Sequence, residues 1–426
     1  MSPETLKTLA LIIFITTYVL LLVLSKYRAY VAAGAAVVFV CLGILPFSKV
    51  MGTINWNVLM MIAGTMGTVY FFNASKMPAL MADVIIEKMP TVKWAIIALS
   101  IFAGIISAFV DNVATVLMVA PIALSIAKKL NISPVSSIIA ISVASNLEGA
   151  ATLVGDTTSI LLGGYAGLNF SDFFFFQGKA SMFWVNQVGL IVASAVLLIV
   201  FRKERQPVTA SERTKVTDFF PTFLLVGTVT SLIIASFMQN APELINGILC
   251  IAFFLLGVAR ELVGRKNKME VKNALAEIDF MTLLQLTGLF VIIGGITEVG
   301  IVRDISRFFV SVSRDPFVIY TLIVWLSVLL SAFIDNIPYT ATMLPVVSGI
   351  ALEMGMEPYL LYFGLLAGAT LGGNLTPIGA SANVTALGIL RKDGHSVSTA
   401  EFMKISVPYT LAAVMAGYLM IWFIWR

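Results

Sequence analysis

Long apolar stretches alternate with short polar ones along the chain, and their lengths are those of membrane-spanning helices. A bilayer core requires about 20 apolar residues per helix. The stretches that meet this length cover residues 8–25, 29–46, 56–74, 181–201, 219–238, 243–260, 279–297 and 405–425. Two more, 135–165 and 359–390, are long but interrupted by glycine and polar residues. We predict that each of these two is a spanning helix broken in the middle.

Two other regions, 93–129 and 316–354, each hold two apolar arms around a polar Asp-Asn pair. They are either pairs of full spans or re-entrant hairpins that enter and leave on one side. Hairpins combined with an external N-terminus place most Lys and Arg residues in the cytoplasm, including those of the 202–215 and 260–272 loops, as the positive-inside rule requires. The pattern therefore predicts ten spans, two re-entrant hairpins and both termini outside the cell.

The composition supports an all-α polytopic membrane protein. Hydrophobic residues make up 59% of the chain and charged residues only 12%, with a mean hydropathy of +0.97, whereas soluble proteins carry about 25% charged residues. The net charge of +4 is too small to indicate a nucleic-acid partner. Cys41 and Cys250 lie in separate apolar stretches, which argues against a disulfide framework. We expect the lipid bilayer of the cell (inner) membrane as the environment of the protein.

The two halves of the chain are related by an internal repeat. At an offset of 224 residues they align without a gap from about residue 54 to residue 160, which places Asp111-Asn112 on Asp335-Asn336. The predicted topology has five crossings between the two hairpins, and an odd number turns the second copy upside down. Inverted repeats with discontinuous helices are characteristic of secondary transporters, whose substrates bind near the membrane midplane.

The repeat also divides the chain into four parts. Residues 1–53 form N-terminal scaffold spans, and residues 202–277 form cytoplasmic loops and linking spans. The first repeat occupies residues 54–201 and the second occupies residues 278–426. Each repeat contains one hairpin and one broken helix, so we predict a central polar site built from four breaks.

The tips of the two hairpins carry the first candidate site residues. These are Asp111, Asn112 and Thr115 in the first repeat and Asp335 and Asn336 in the second. Capping is one interpretation, because Asp and Asn are favoured helix N-caps. A carboxylate within the membrane costs several kcal/mol unless it is paired or functional. Acids at equivalent positions of both repeats therefore favour a binding function, which is compatible with capping.

The broken helices supply the second set of candidates. They are Asp156, Thr157, Thr158, Ser159, Asn374, Thr376, Ser381 and Asn383. Their carboxylate, hydroxyl and amide oxygens could form a cage for a hard cation such as Na⁺, or for a polyhydroxy solute. The alternative is that they are polar contacts between packed helices. If Na⁺ binds, the expected ligands are Asp111, Asn112, Asp156 and Thr157.

Glu148 has no acidic counterpart, because its repeat partner is Gly372. It is either a proton carrier or a side chain that faces a vestibule. With Asp111, Asp156 and Asp335 it makes the breaks acidic, and no Lys or Arg lies in or beside them in the sequence. We therefore expect H⁺, Na⁺ or both as coupling ions, and no other cofactor. Asp279 and Glu298, at predicted span ends, are expected to be ordinary interfacial charges.

Three segments carry a resemblance to the ion transporter superfamily: DNVATVLMVAP, DNIPYTATMLP and GGNLTPIGASANVTALGILRKDG. They are similar to its branch of arsenite permeases, P-proteins and citrate transporters. The GDTTS segment that contains Asp156 resembles both arsenite permeases and NhaD-type sodium/proton antiporters. The resemblance implies a homodimer and an elevator mechanism, in which a transport domain of hairpins and broken helices moves against a static scaffold.

These observations leave three functions open, all of them secondary active transport. The first is proton-coupled efflux of an arsenite- or antimonite-type oxyacid, which is mostly neutral near pH 7 and is not repelled by an acidic site. The second is sodium/proton antiport, and the third is cation-coupled transport of citrate or a dicarboxylate. An ion channel would require a continuous pore. An enzyme is disfavoured, because no His, Cys or metal-ligand cluster lies in the apolar core.

Overall fold

The computed structural model describes residues 2–130, 132–208, 213–238 and 241–426 of a mostly helical chain. The helices are α1 (Pro3–Val23), α2 (Arg28–Cys41), α3 (Phe47–Thr53), α4 (Trp56–Ala74), α5 (Met77–Glu87), α6 (Val92–Ser107), α7 (Asn112–Leu130), α8 (Val135–Gly149), α9 (Thr157–Ala166), α10 (Met182–Val200), α11 (Phe220–Ser236), α12 (Ile245–Ala259), α13 (Lys268–Glu277), α14 (Phe280–Glu298), α15 (Ile301–Val312), α16 (Pro316–Ser331), α17 (Asn336–Met354), α18 (Tyr359–Gly372), α19 (Ser381–Lys392) and α20 (Thr399–Trp425). Strands β1 (Phe175–Phe176) and β2 (Lys179–Ala180) form a small antiparallel hairpin.

Several helices are long and apolar enough to cross a membrane. By length and composition the described residues contain seven such helices, or nine if each of two bent helix pairs is one span. The bends are 57° between α4 and α5 and 119° between α15 and α16. This is the helix content of a polytopic membrane protein. The ten crossings and two re-entrant hairpins of the sequence analysis stay a prediction.

The helix boundaries follow the repeat. Helices α4, α6 and α7 begin and end 224 residues before α14, α16 and α17, and α5, α8 and α9 begin 224 residues before α15, α18 and α19. Both predicted helix breaks are present, between Gly149 and Thr157 and between Gly372 and Ser381, and the second begins with a short 3-10 turn, Gly373–Leu375. The upside-down orientation of the second copy stays a prediction.

The first long helix of each repeat packs against a helix outside the two repeats. Helix α4 of the first repeat packs against α12, and its counterpart α14 packs against α2. Gly64 and Gly288, which are repeat equivalents, allow this approach. A Cβ atom would lie 2.4 Å from the Cys250 main chain at Gly64 and 2.6 Å from the Ala32 main chain at Gly288. We call α1–α4 and α11–α14 the scaffold helices.

The remaining long helices form a second group, here called the bundle helices, α6–α10 and α16–α20. Helix α6 packs on α8, α16 on α18 and α10 on α20, while α7 and α17 pack on α19 and α9 of the opposite repeat. Helices α8 and α18 lie at the centre, with nearly every residue buried. The breaks that follow them therefore lie inside the protein, where polar side chains can satisfy the free main-chain groups.

Candidate functional site

The first hairpin tip is built around Asp111. Its Oδ1 accepts hydrogen bonds from the main-chain amides of Val113, at 3.0 Å, and Ala114, at 3.1 Å. These are free amides of the first turn of α7, so Asp111 caps that helix, as its residue type favours. The described residues provide no hydrogen bond to Oδ2, and the carboxyl group lines a cavity.

Asn112 fastens this tip to α8. Its Oδ1 accepts a hydrogen bond from Ser107 Oγ at 2.7 Å, and its Nδ2 donates to Asn146 Oδ1 at 3.0 Å. A Cβ atom at Gly149 would lie 2.6 Å from Asn112 Oδ1. The tip can reach the end of α8 because that position is glycine.

Asp156 lies at the start of α9, in extended backbone directly before the helix. Its Oδ2 accepts a hydrogen bond from Thr158 Oγ1 at 2.9 Å and a longer one from Asn336 Nδ2 at 3.4 Å. Asn336 belongs to the tip of the second hairpin. Asp156 therefore connects the helix break of one repeat with the hairpin tip of the other.

These side chains surround a cavity of about 210 Å³, here called the first cavity. The predicted site residues that line it are Asp111, Asn112, Asp156, Thr157, Asn336 and Ser381. The predicted site residues that do not line it are Thr115, Glu148, Thr158, Ser159, Asp335, Asn374, Thr376 and Asn383. The binding role of both groups stays a prediction, but only the first group meets a space that can hold a solute.

Most of the second group makes contacts at the breaks. Asn374 Nδ2 donates to a carbonyl of α8 at 2.9 Å, and Asn383 Nδ2 donates to two carbonyls of the second break at 3.1 Å each. The hydroxyls of Ser159 and Thr376 also donate to main-chain carbonyls. The Thr115 hydroxyl is buried, and the residues that the structure describes offer it no hydrogen-bond partner. The bonds from Ser159 and Asn383 satisfy carbonyls that the broken helices leave free.

Three residues of the first cavity were missed by the sequence analysis. Asn146 accepts from Asn112 and donates to Asn374 Oδ1 at 3.1 Å, so it joins both repeats. Glu277 and Asp279, from the scaffold, also line the cavity. Asp279, expected to be an ordinary interfacial charge, caps α14 through Thr282 and also faces this space. The sequence contained one signal for the capping role, because the repeat partner of Asp279 is Asn55, which also caps a helix.

The expectation that no base lies beside the four acids is wrong for Asp335. Arg28 of α2 places Nη1 2.6 Å from Asp335 Oδ2, and its Nε donates to the Leu21 carbonyl at 3.1 Å. Asp335 also caps α17 through the Ile337 amide at 3.1 Å. The two charges are 307 residues apart in the chain, and only tertiary packing brings them together. Asp335 thus has a basic partner in this structure, and its binding role stays a prediction.

The first cavity has an acidic lining without a compensating base. Its acidic residues are Asp111, Asp156, Glu277 and Asp279, and no Lys or Arg is among the described residues that line it. In the described part of the chain no group of three or more His, Cys, Asp or Glu side chains is placed to hold a metal ion. Of the four expected Na⁺ ligands, Asn112 already accepts a hydrogen bond on its oxygen. A cation would therefore rely chiefly on Asp111, Asp156 and Thr157.

A second cavity, of about 410 Å³, is lined by the repeat counterparts of the same scaffold residues. Scaffold residues of the second cavity include Thr53, Asn55, Val58, Ile293 and Thr297. Their counterparts in the first cavity are Glu277, Asp279, Thr282, Val69 and Asn73. The scaffold thus presents two repeat-related surfaces, one to each cavity.

The hairpins do not follow this symmetry. Helix α7 meets the first cavity with residues 112–114, whereas α17 meets the second with Ala341, Leu344 and Pro345. The counterparts of those three residues lie about six or seven positions further from the tip than residues 111–114. At 1.5 Å of rise per residue, this offset corresponds to about 10 Å along the helix. We call it the height difference between the two hairpins against equivalent scaffold surfaces.

Two solved transporters share this fold. YdaH of Alcanivorax borkumensis superposes with a TM-score of 0.58 at 13% identity, over 88% of this chain and 87% of that one. MtrF of Neisseria gonorrhoeae, described as one of a class of antimetabolite efflux pumps, gives 0.57 at 15% identity, over 88% and 82%. At these identities the likeness establishes the fold alone.

Sequence relatives extend over the full chain. An uncharacterized transporter of Mycobacterium bovis is 30% identical over 98% of both chains. The P protein of Sus scrofa is 24% identical over 98% of this chain and 59% of its own length. The citrate transporter family CitMHS matches residues 9–368. This protein is therefore an integral membrane transporter of the CitMHS citrate transporter family, within the ion transporter superfamily.

Proposed function

We propose that the protein is an ion-coupled secondary active transporter that binds its coupling cation in the first cavity. The observation that carries the proposal is the lining of that cavity, which has four acidic side chains and no base among its described residues. Asp111 and Asp156 lie at the N-terminal ends of α7 and α9, where the helix dipole stabilises a carboxylate. An anionic pair held in this way attracts a cation from the solvent.

The coupling ion is H⁺, Na⁺ or both. Charged groups within the bilayer cost several kcal/mol each, so the acids must be neutralised before the site changes sides. Asp156 is the residue we assign to this role, because Thr157 and Thr158 supply neutral oxygens beside it. Substrate and protons then compete for overlapping groups.

For the solute, we propose first a neutral oxyacid of the arsenite or antimonite type, exported in exchange for protons. An acidic cavity does not repel such a molecule, and hydroxyl and amide groups can hydrogen-bond to it. Sodium/proton antiport is the alternative, supported by the two carboxylates beside Thr157. Citrate is the third candidate, and the name of the family favours it. A bare citrate anion is repelled by this lining, so citrate would enter only after cations had bound.

We also propose an elevator-type motion of the bundle helices against the scaffold. Its support is the height difference of about 10 Å between the two hairpins, given the helical rise per residue. In the opposite state, Asp335 and Asn336 would face the second cavity near Asn55. With the predicted orientation, the present arrangement opens the first cavity to the cytoplasm.

The orientation itself is tested by cysteine labelling. Cysteines placed in the 202–215 and 260–272 loops are expected to react with a membrane-impermeant thiol reagent from the cytoplasm only. A cysteine at Ser313 is expected to react from outside only, because the second repeat is inverted. Labelling of Ser313→Cys from the cytoplasm would contradict the five-crossing count.

The transport proposal is tested in proteoliposomes under an imposed pH gradient. Purified protein is assayed with Na⁺, arsenite and citrate separately, and Asp156→Asn serves as the variant. We expect one of the three to move in a manner that depends on the pH or Na⁺ gradient, with the dependence lost in Asp156→Asn. The proposal would be overturned if transport did not depend on either gradient, or if Asp156→Asn kept the normal dependence.

A further inference from the structure

Glu148 is a fully buried acid that lies outside both cavities. Its Oε2 accepts a hydrogen bond from Gln187 Nε2 of α10 at 2.6 Å, and its Oε1 is buried with no hydrogen-bond partner among the described residues. Tyr409 of α20, also fully buried, lies near enough to interact with it electrostatically, and the same part of the chain offers its hydroxyl no partner. No Lys or Arg is bonded to Glu148 among the described residues. The acid thus lacks the charge partner that a buried carboxylate requires.

The space for this side chain is provided by the opposing helix. A Cβ atom at Gly104 of α6 would lie 3.0 Å from Glu148 Cγ. In the second repeat the arrangement is reversed, because Val328 takes the place of Gly104 and Gly372 takes the place of Glu148. A Cβ atom at Gly372 would lie 2.5 Å from the Val328 carbonyl oxygen. Between these two pairs of equivalent positions, the first repeat has room for an acid, whereas the main chain of α16 fills that space in the second.

The position of Glu148 along its helix disfavours the ionised form. It is the penultimate residue of α8, near the C-terminal end, where the free carbonyls carry partial negative charge. Asp111, Asp156 and Asp335 instead precede the N-termini of α7, α9 and α17. An unpaired carboxylate buried beside carbonyls is far less stable than the neutral acid, so such a group binds a proton.

We propose that Glu148 is a proton-binding site of the first repeat, separate from the cation-binding cavity. The carboxylate takes one proton from water to become a carboxylic acid, and Gln187 holds Oε2 in place. Release of the proton to water restores the carboxylate. Proton binding stands independently of the proposed transport function, whereas the coupling role of this proton rests on it.

Infrared spectroscopy of the purified full-length protein tests proton binding without a substrate. The carbonyl stretch of a protonated carboxylic acid, which shifts in D₂O, is expected in the wild type at neutral pH and is expected to be missing in Glu148→Gln. Glu353→Gln is the matched control, because Glu353 is exposed and pairs with Arg307 at 2.9 Å. Loss of the band in Glu148→Gln alone supports the proposal. Identical spectra of the wild type and Glu148→Gln overturn it.

A variant that copies the second repeat separates proton binding from packing. Gly104→Val alone is expected to destabilise the protein because it crowds Glu148. The double variant Gly104→Val/Glu148→Gly is expected to recover the elution profile and thermal stability of the wild type while lacking the infrared band. A band that persists in the double variant assigns the proton to another residue and contradicts the proposal.

The coupling role has its own test in proteoliposomes. With whichever of Na⁺, arsenite and citrate the wild type moves, Glu148→Gln is expected to lose its response to a pH gradient while retaining binding in the first cavity. An unchanged pH response disproves the coupling role, even if the infrared band confirms proton binding. If the wild type moves none of the three, the proposed function fails and the infrared result still decides on the proton site.

Discussion

The two hairpin tips share an Asp-Asn motif, yet they occupy different surroundings. Asp111 caps α7 and lines the first cavity. Asp335 caps α17 in the same way, but its second oxygen is paired with Arg28 of the scaffold. Capping is local and therefore survives duplication. The tertiary partner differs because the two hairpins sit at different heights against equivalent scaffold surfaces.

The scaffold holds the second hairpin at a further point. Tyr18 of α1 donates its hydroxyl to the Pro338 carbonyl at 2.8 Å and also contacts the Thr342 hydroxyl. Together with the pair between Arg28 and Asp335, this ties the first turns of α17 to α1 and α2. A shift of about 10 Å, or about seven residues of helix, would break these contacts. They are therefore specific to the present arrangement.

The largest expected effect distinguishes the two tip acids by transport. We expect Asp111→Asn to abolish most transport, because it removes a charged ligand from the first cavity. Interactions with charged groups contribute about 1.5–3 kcal/mol, equal to roughly 10- to 100-fold in affinity. Asp335→Asn should reduce transport less, because the Asp335 carboxylate pairs with Arg28. Proteoliposome uptake measures both, and equal losses would show that the tips are functionally equivalent after all.

A second prediction concerns the scaffold, where the repeats are equivalent. Gly64→Ala and Gly288→Ala should each destabilise the protein by about 1–3 kcal/mol, the usual cost of overpacking, because each new methyl group meets the main chain of a neighbouring scaffold helix. Gly34→Ala is the control, since nothing lies within 4 Å of its added Cβ atom. Thermal unfolding in detergent measures the three variants. A large difference between Gly64→Ala and Gly288→Ala would argue against symmetric scaffold packing.

The sequence predicted the features that depend on local chemistry. Apolar length located the helices, and the repeat of Asp111-Asn112 at Asp335-Asn336 anticipated helix boundaries separated by the same offset. It did not predict the pair between Arg28 and Asp335, because sequence spacing contains no signal for a contact across 307 residues. The sequence also did not predict the height difference between the two hairpins. Both repeats encode the same helices, and only packing determines which surface each hairpin meets.

A third prediction tests whether Arg28 stabilises the present arrangement. In a background without Cys41 and Cys250, the pair Tyr18→Cys and Thr342→Cys should be joined by a short bifunctional thiol reagent, which bridges the gap that the tyrosine ring fills in the wild type. Adding Arg28→Gln should lower the cross-link yield by roughly two- to fivefold, because partly exposed ion pairs contribute about 0.2–1 kcal/mol. Gel mobility measures the yield. An unchanged yield would mean that Arg28 does not hold the hairpin.

The smallest expected effect comes from an Arg-Asp pair that lies entirely within the scaffold. Arg260 binds Asp218 through two hydrogen bonds, of 2.7 and 2.9 Å, and this guanidinium holds the pKa of Asp218 below its usual range. A lowered pKa in the folded state stabilises the protein above the unfolded pKa of about 3.9 and loses that stabilisation as the pH falls through the folded value. Asp218→Asn should therefore cost about 1 kcal/mol at neutral pH, and its stability should converge with that of the wild type in acid. Thermal unfolding across pH measures this. In the cysteine background, Asp218→Asn should leave the cross-link yield unchanged, because Asp218 and Arg260 flank two scaffold helices, α11 and α12, rather than the hairpin. A lowered yield in Asp218→Asn would remove the distinction between a pair that stabilises the fold and a pair that selects one arrangement of it.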